Sequence, residues 1–256
     1  MGGRLEQALG LARSLAIYYG QPWRSRSLSH LYRRFVQPGD LVFDVGAHVG
    51  NHTRCFTRLG ARVVAVEPQA ELVAWLRFQF RNEPGVTVLD CALAAEPGKA
   101  RMYASPRTPT VTTLSRDWIE EVRATQSFAR VRWQEAAEVP TTTLDALIAR
   151  YGLPRFCKID VEGFEAETLR GLSQPLPALS FEFVPAAHEV AIEALRLLER
   201  LAAYRYNLSL GESHRLLWLE WRDAEAVSAW LRAGEARGRS GDVYARFDVG
   251  ERRHSA

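Results

Sequence analysis

The stretch KIDVEG at 158–163 sets a lysine, an aspartate and a glutamate at alternate positions. In an extended strand Lys158, Asp160 and Glu162 share one face. A lysine between carboxylates pairs with them and shifts their ionisation. Such a set can align a nucleophile and take the proton of a hydroxyl. Of 33 basic residues only Lys99 and Lys158 are lysine. A chain this rich in arginine keeps here a compact cation that can deprotonate, where arginine is a wide, permanently charged fork. The bland alternative is a buried salt bridge holding a loop. Glu182 closes another apolar run, LSFEF. Asp160 and Glu182 can together bind a divalent cation that orients a substrate hydroxyl, or serve without metal as base and ammonium partner. No metal ligand is assigned.

A second acid stands in FDVGAHVGNHT, residues 43–53. A dinucleotide fingerprint starting at Gly46 fails, because His48 and Asn51 occupy its second and third glycine positions, and no Gly-Lys-Ser/Thr follows to make a phosphate loop. Asp44 suits a cation better than a phosphate. Gly46 permits close backbone approach, and a helix start near Val49–Gly50 favours a carboxylate. Glu67, 21 residues after Gly46, can accept both hydroxyls of a ribose, and Pro68 can start the next helix. S-adenosylmethionine, which has an ammonium, a carboxylate and a ribose but no phosphate, fits such a turn. His48 and His52 have the i, i+4 spacing of metal ligands, but no third ligand is near in sequence. They read as a polar group at the helix start and a surface or packed histidine.

The elements that must hold these residues follow from periodicity. LVFDV (41–45), RVVAVEP (62–68), VTVLD (86–90), RFCKIDVEG (155–163) and LSFEF (179–183) are apolar runs of strand length. Helices are expected at about 50–59, 70–81, 141–152 and 188–201. Strands alternating with helices imply a parallel sheet buried on both faces. In such a sheet ligands sit beyond the carboxyl ends of the strands, where Asp44, Glu67, Asp90, Asp160 and Glu182 fall. Two helices are expected within 1–36. Residues 96–139 hold SPRTPTVTTLS and read as a strand or two, an irregular loop and a short helix near 117–123. A further helix near 223–233 and a strand DVYARF (242–247) close the chain.

Composition excludes several classes. The 256 residues are 47% hydrophobic, enough for one large core, and the net charge is only +3, no argument for a nucleic-acid partner. Three scattered cysteines form no CxxC pair and suit a reducing cytoplasm. No run approaches the roughly 20 apolar residues that span a membrane, and the N-terminus lacks the long apolar run and cleavage site of a signal peptide. Oligomeric state is not legible.

VFDVGAHVGNHT, VVAVEP, TTLDALIARYGLPRFCKIDVEGFEAETLRGL and LSFEF, in this order over about 40–200, closely resemble the FkbM-type S-adenosylmethionine-dependent methyltransferases. The resemblance implies a Rossmann-like seven-stranded methyltransferase fold, a mostly parallel sheet with helices on both faces. It implies a methyltransferase domain over 37–256, a helical extension over 1–36 and a substrate-side insertion at about 104–139. It implies that Asp44, Gly46, Ala47, Gly50, Asn51, Glu67 and Pro68 bind the cofactor, with Asp90, Cys91 and Ala92 near the adenine. Lys158, Asp160, Glu162 and Glu182 become the catalytic set, and O-methylation of a sugar, glycan or polyketide-like metabolite the expected reaction. A small-molecule N-methyltransferase and a non-catalytic cofactor-binding protein are the alternatives. His48 departs from the family pattern, which carries asparagine there. Trp118 and Trp133 can stack on a sugar or anchor a core, and the arginines of 24–34 can meet an anionic carrier or face solvent.

Overall fold

The computed structural model describes residues 14–15, 22–105 and 108–247. The expected first helix lies outside the described residues except at 14–15, which are helical. Helix α1 (Pro22–Tyr32) leads into β1 (Leu41–Val45), α2 (Asn51–Arg58), β2 (Arg62–Val66), α3 (Ala70–Gln79) and β3 (Val86–Leu89). After an insertion come α5 (Leu144–Tyr151), β7 (Phe156–Ile159), α6 (Glu165–Arg170), β8 (Ala178–Phe183) and α7 (His188–Glu199). Strand β9 (Tyr204–Leu210), helix α8 (Ala224–Arg232) and strand β10 (Gly241–Phe247) finish the fold.

Seven strands form one sheet in the order β3-β2-β1-β7-β8-β10-β9. The first five pair in parallel, and β10 runs antiparallel to both β8 and β9. All five residues of β1 are buried, as a run covered on both faces requires. Phe43, Val45, Cys157, Ile159, Leu179 and Phe181 face α5, α6, α7 and α8 in the largest core. Val42, Phe156, Ala178 and Tyr244 face α1 and α2, where Leu28, Leu31, Tyr32 and Phe56 meet them. Leu28, Leu31, Tyr32, Phe35 and Val36 therefore pack in the core against the sheet. Among the described residues no helix is long and apolar enough to cross a membrane.

A second sheet lies between β3 and α5 in the sequence. Strands β4 (Ala92–Leu93), β5 (Gly98–Ala104) and β6 (Gln134–Thr142) stand in the order β4-β6-β5, with α4 (Arg116–Val122) between β5 and β6. Thr141 and Thr142 end β6 instead of opening a helix, and Thr143 caps α5 by accepting the amide of Ala146 at 3.0 Å. The two-residue β4 and helix α6 are too short to show a period, and periodicity alone did not find them. Residues 215–221 form no strand.

Candidate active site

Chain order reverses between β1 and β7, so the loops after these strands diverge and leave a crevice. The turn after β1 is left-handed at three points, Gly46 (φ 78), His48 (φ 48) and Gly50 (φ 81). Asparagine, aspartate and histidine are the side chains that best tolerate this region, which gives His48 a physical reason in place of the family's asparagine. A Cβ on Gly46 would overlap the Asp160 carbonyl oxygen, and one on Gly50 would come within 2.7 Å of Phe80 and 2.8 Å of Leu76. Packing of the β7 loop therefore demands glycine at 46, whatever a ligand adds, while at 50 the left-handed backbone is what favours it.

Glu67 lies just beyond β2 and is buried. Its two carboxylate oxygens accept the amides of His48 and Gln69, each at 2.9 Å. Burial pushes its pKa up to about 7, against these hydrogen bonds, which lower it. Burial brings the ring of His48 down to about 4, so it stands neutral. His52 is neutral for the same reason, and its Nδ1 lies 2.8 Å from the Tyr32 hydroxyl.

The β7 loop gathers the charges. Lys158 is 1% exposed and its Nζ donates to Asp160 Oδ2 at 2.5 Å. Burial acts to lower its pKa, but Asp160, Asp242 and Asp44 outweigh burial and raise it, so Lys158 is held as a cation. The pairing of Lys158 with a carboxylate of its own motif is the one its spacing in the sequence implies. Across the sheet Asp44, Lys158, Ser180 and Tyr244 stand in register. Asp44 is buried beneath the cavity, accepts from Thr53 Oγ1 at 2.5 Å, and is raised by burial against the pull of Lys158. Its Oδ1 is without a partner.

The strand ends at Ile159, so the shared face expected of 158–162 is not a strand face. Instead Glu162 takes φ 52 and the loop folds over. Glu165 holds that fold by accepting the amides of Val161 (3.2 Å) and Gly163 (3.3 Å), and burial lifts its pKa to about 7. From the insertion, Thr113 Oγ1 donates to the Glu162 carbonyl at 2.6 Å, and Trp118 lies so close on Gly163 that no Cβ fits there. Trp118, 1% exposed, is thus a core anchor.

Glu182 stands on β8 opposite Asp242 of β10. Carboxylate oxygens of Asp160, Glu162 and Glu182 lie within 4.8 Å of one another, a spacing that could hold a metal ion. Burial first, then repulsion from neighbouring carboxylates (Asp160 and Glu165 for Glu162, Glu162 and Asp160 for Glu182), raises the pKa values of Glu162 and Glu182 well above the ordinary range. Glu182 Oε2 is buried without a partner. Asp242 is raised to about 6, by burial and by Asp160 against Lys158.

Of the expected residues, Gly46, Asn51, Glu67, Pro68, Cys91 and Ala92 line one cavity, together with Lys158, Asp160, Glu162 and Glu182. Asp44, Ala47, Gly50 and Asp90 do not line it. Asp44 lies under it, Ala47 and Gly50 pack toward α3, and Asp90 is exposed. The cavity adds residues that sequence reasoning missed: Gln69, Thr112 and Thr113 beside the acids, and Glu212, His214 and Asp242 from the tail. His214 contacts Glu212 Oε2 at 3.2 Å and Ser27 Oγ at 2.8 Å. Only Asp242 had a local signal, an acid opening an apolar strand.

The fold and its crevice define a Rossmann-like α/β protein with a ligand cavity at the switch point of its sheet. The methyltransferase FkbM domain matches residues 44–233, and the chain belongs to that family. The match runs through the insertion and beyond the four motifs. Hexuronic acid methyltransferase AglP of Haloferax volcanii is 27% identical over 173 residues, 63% of this chain and 64% of the relative. The chain thus aligns with under two thirds of that relative's length. Among solved structures, an O-methyltransferase from Bacillus cereus in complex with SAH superposes with a TM-score of 0.47 at 13% identity, covering 93% of this chain and 90% of that one. Precorrin-6y C5,15-methyltransferase from Geobacter metallireducens gives 0.46 at 12%, covering 88% and 86%.

Proposed function

We propose that the protein is an S-adenosylmethionine-dependent O-methyltransferase whose acceptor is a hydroxyl of a sugar or glycan. One observation carries the reading: the charge of the cavity. Glu67, Asp160, Glu162, Glu182, Glu212 and Asp242 line it against one permanent cation, Lys158, which is already engaged by Asp160. No arginine among the described residues lines it. Burial and crowding raise the pKa values of Glu67, Glu162, Glu182 and Asp242, so these acids gain charge beside a positively charged ligand and offer nothing to a phosphate. Membership of the FkbM family and the relative that acts on hexuronic acid support the same reading.

The cofactor supplies a methyl group on a positively charged sulfur. Glu67 would hold its ribose hydroxyls, with the His48 and Gln69 amides keeping the carboxylate in place. Lys158 fixes Asp160 at the rim. Glu182, whose pKa burial and then Glu162 and Asp160 raise, would ionise beside a positively charged ligand and take the proton of the acceptor hydroxyl. Thr112, Thr113 and Leu114 of the insertion, with Glu212 and His214, shape the acceptor side. Three scattered cysteines without a CxxC pair support a cytoplasmic location.

Calorimetry against S-adenosylmethionine, S-adenosylhomocysteine and NADH tests the cofactor, and labelled methyl transfer to sugars and nucleotide sugars tests the acceptor. Binding of NADH alone would sink the reading. Transfer only to amines would replace the hydroxyl by a nitrogen nucleophile. A chelator arm reads whether Asp160, Glu162 and Glu182 work with a divalent cation.

A further inference from the structure

The insertion carries a second concave surface that the methyl-transfer reading leaves unused. Strand β5 separates it from the cavity: Met102 faces the cavity, while Arg101 and Tyr103 face outward. This groove of about 610 Å³ is bounded by Arg101, Arg116, Arg123 and Arg132, by the aromatic side chains of Tyr103, Phe128 and Trp133, and by Glu120 and Glu135. We propose that it is a binding site for an acidic saccharide, distinct from the methyl-transfer cavity.

Charge is the first argument. Glu120 pairs with Arg123 at 2.8 Å, and Glu135 with Arg101 at 3.8 Å. Among the described residues no carboxylate lies within ion-pair distance of Arg116 or Arg132. Two guanidinium groups are thus in excess on one small surface. Arg132 is further pinned by donating from Nη1 to the carbonyls of Ala129 and Val131, each at 3.2 Å. A guanidinium held in place loses less entropy on meeting a carboxylate or sulfate, and its planar fork matches their oxygens.

Rigid aromatic rings are the second argument. Phe128 and Trp133 stack with centroids 6.0 Å apart and planes 26° apart, and both are half-buried. Trp118 supports them edge-on at 5.4 and 6.1 Å, and Trp133 Nε1 donates to the Val111 carbonyl at 2.8 Å. These rings offer apolar faces to the C–H face of a pyranose, while the arginines take its acidic groups. The combination also suits single-stranded nucleic acid. That ligand needs a basic track over several nucleotides, and here the excess is two charges on a chain of net charge +3. The site anchors a substrate chain and takes no part in the chemistry.

The proposal rests on the glycan reading, and its test separates the two. A galacturonate tetrasaccharide, a neutral tetrasaccharide of equal length and a deoxythymidine octamer are titrated into the cofactor-free protein, with Trp fluorescence as readout. The acidic probe alone is expected to bind, and the double variant Arg116→Glu, Arg132→Glu to weaken it at least tenfold with an unchanged melting temperature. Both positions are exposed, so folding is spared. Equal binding of the acidic and neutral probes, unchanged binding by the variant, or preference for the octamer each overturns the groove assignment. If the wild type methylates saccharides while its acidic-probe binding ignores the variant, the groove assignment falls and the glycan reading stands. If the acidic probe binds through the groove yet no saccharide is methylated, the acceptor reading falls.

Discussion

Replacing Glu67 by glutamine separates the two things this carboxylate does. Its folded pKa of about 7 stands against 4.5 for an ordinary glutamate. At 1.36 kcal/mol per pH unit this difference amounts to about 3 kcal/mol. The sign follows from proton binding: between these two values the native state holds more protons than the unfolded chain, so stability falls as pH rises. The contribution is fully present below about pH 4.5 and gone above about 7. Glutamine never ionises and has no such slope. It does lose one acceptor, because its amide nitrogen only donates and one of the His48 and Gln69 amides is left without its partner, at a pH-independent cost of about 1–3 kcal/mol. Urea melts of wild type and Glu67→Gln from pH 4 to 8 should therefore converge or cross, their difference falling by about 3 kcal/mol. Cofactor affinity should rise with pH through about 7 in the wild type. In the variant it should be flat and about 10- to 100-fold weaker, as expected for losing hydrogen bonds to a charged acceptor. Parallel stability curves would refute the buried-carboxylate argument, and an equal dissociation constant would remove the ribose assignment.

Lys158→Ala leaves Asp160 and the buried Asp44 without their cation, so a stability loss on the order of 3 kcal/mol is expected. Turnover should fall while cofactor binding, read by calorimetry, stays close to wild type; full activity would make the lysine purely structural. Gly46→Ala places a methyl group on the Asp160 carbonyl in a left-handed turn. The backbone conformation alone costs about 1–2 kcal/mol, and the overlap adds to it, so a melting temperature equal to wild type contradicts the geometry. Trp118→Ala should cost about 3–5 kcal/mol as a large-to-small core change. Because Trp118 rests on Gly163 beside the Thr113–Glu162 contact, it should also raise the KM for the acceptor more than that for the cofactor; equal changes in both would show that the insertion does not steady the catalytic loop.

The five parallel strands and the acids at their ends were legible in the sequence. A strand buried on both faces writes itself as an apolar run, and the polar residue that stops the run is by construction at the cavity rim. Asp160, Glu162, Glu182 and Glu67 were found this way. The pairing of Lys158 with Asp160 was legible from their spacing, but the further support from Asp242 and Asp44 was not, because these stand 84 residues after it and 114 before it. The purpose of Gly46 likewise appears only when the β7 loop is packed against the turn after β1. Glu212, His214 and Asp242 join the cavity because β10 inserts antiparallel between β8 and β9, a pairing that no local period encodes. Local side-chain pattern thus determined the strands and their acidic ends. Strand order and loop packing decided which charges share a dielectric, and with them the ionisation of the site.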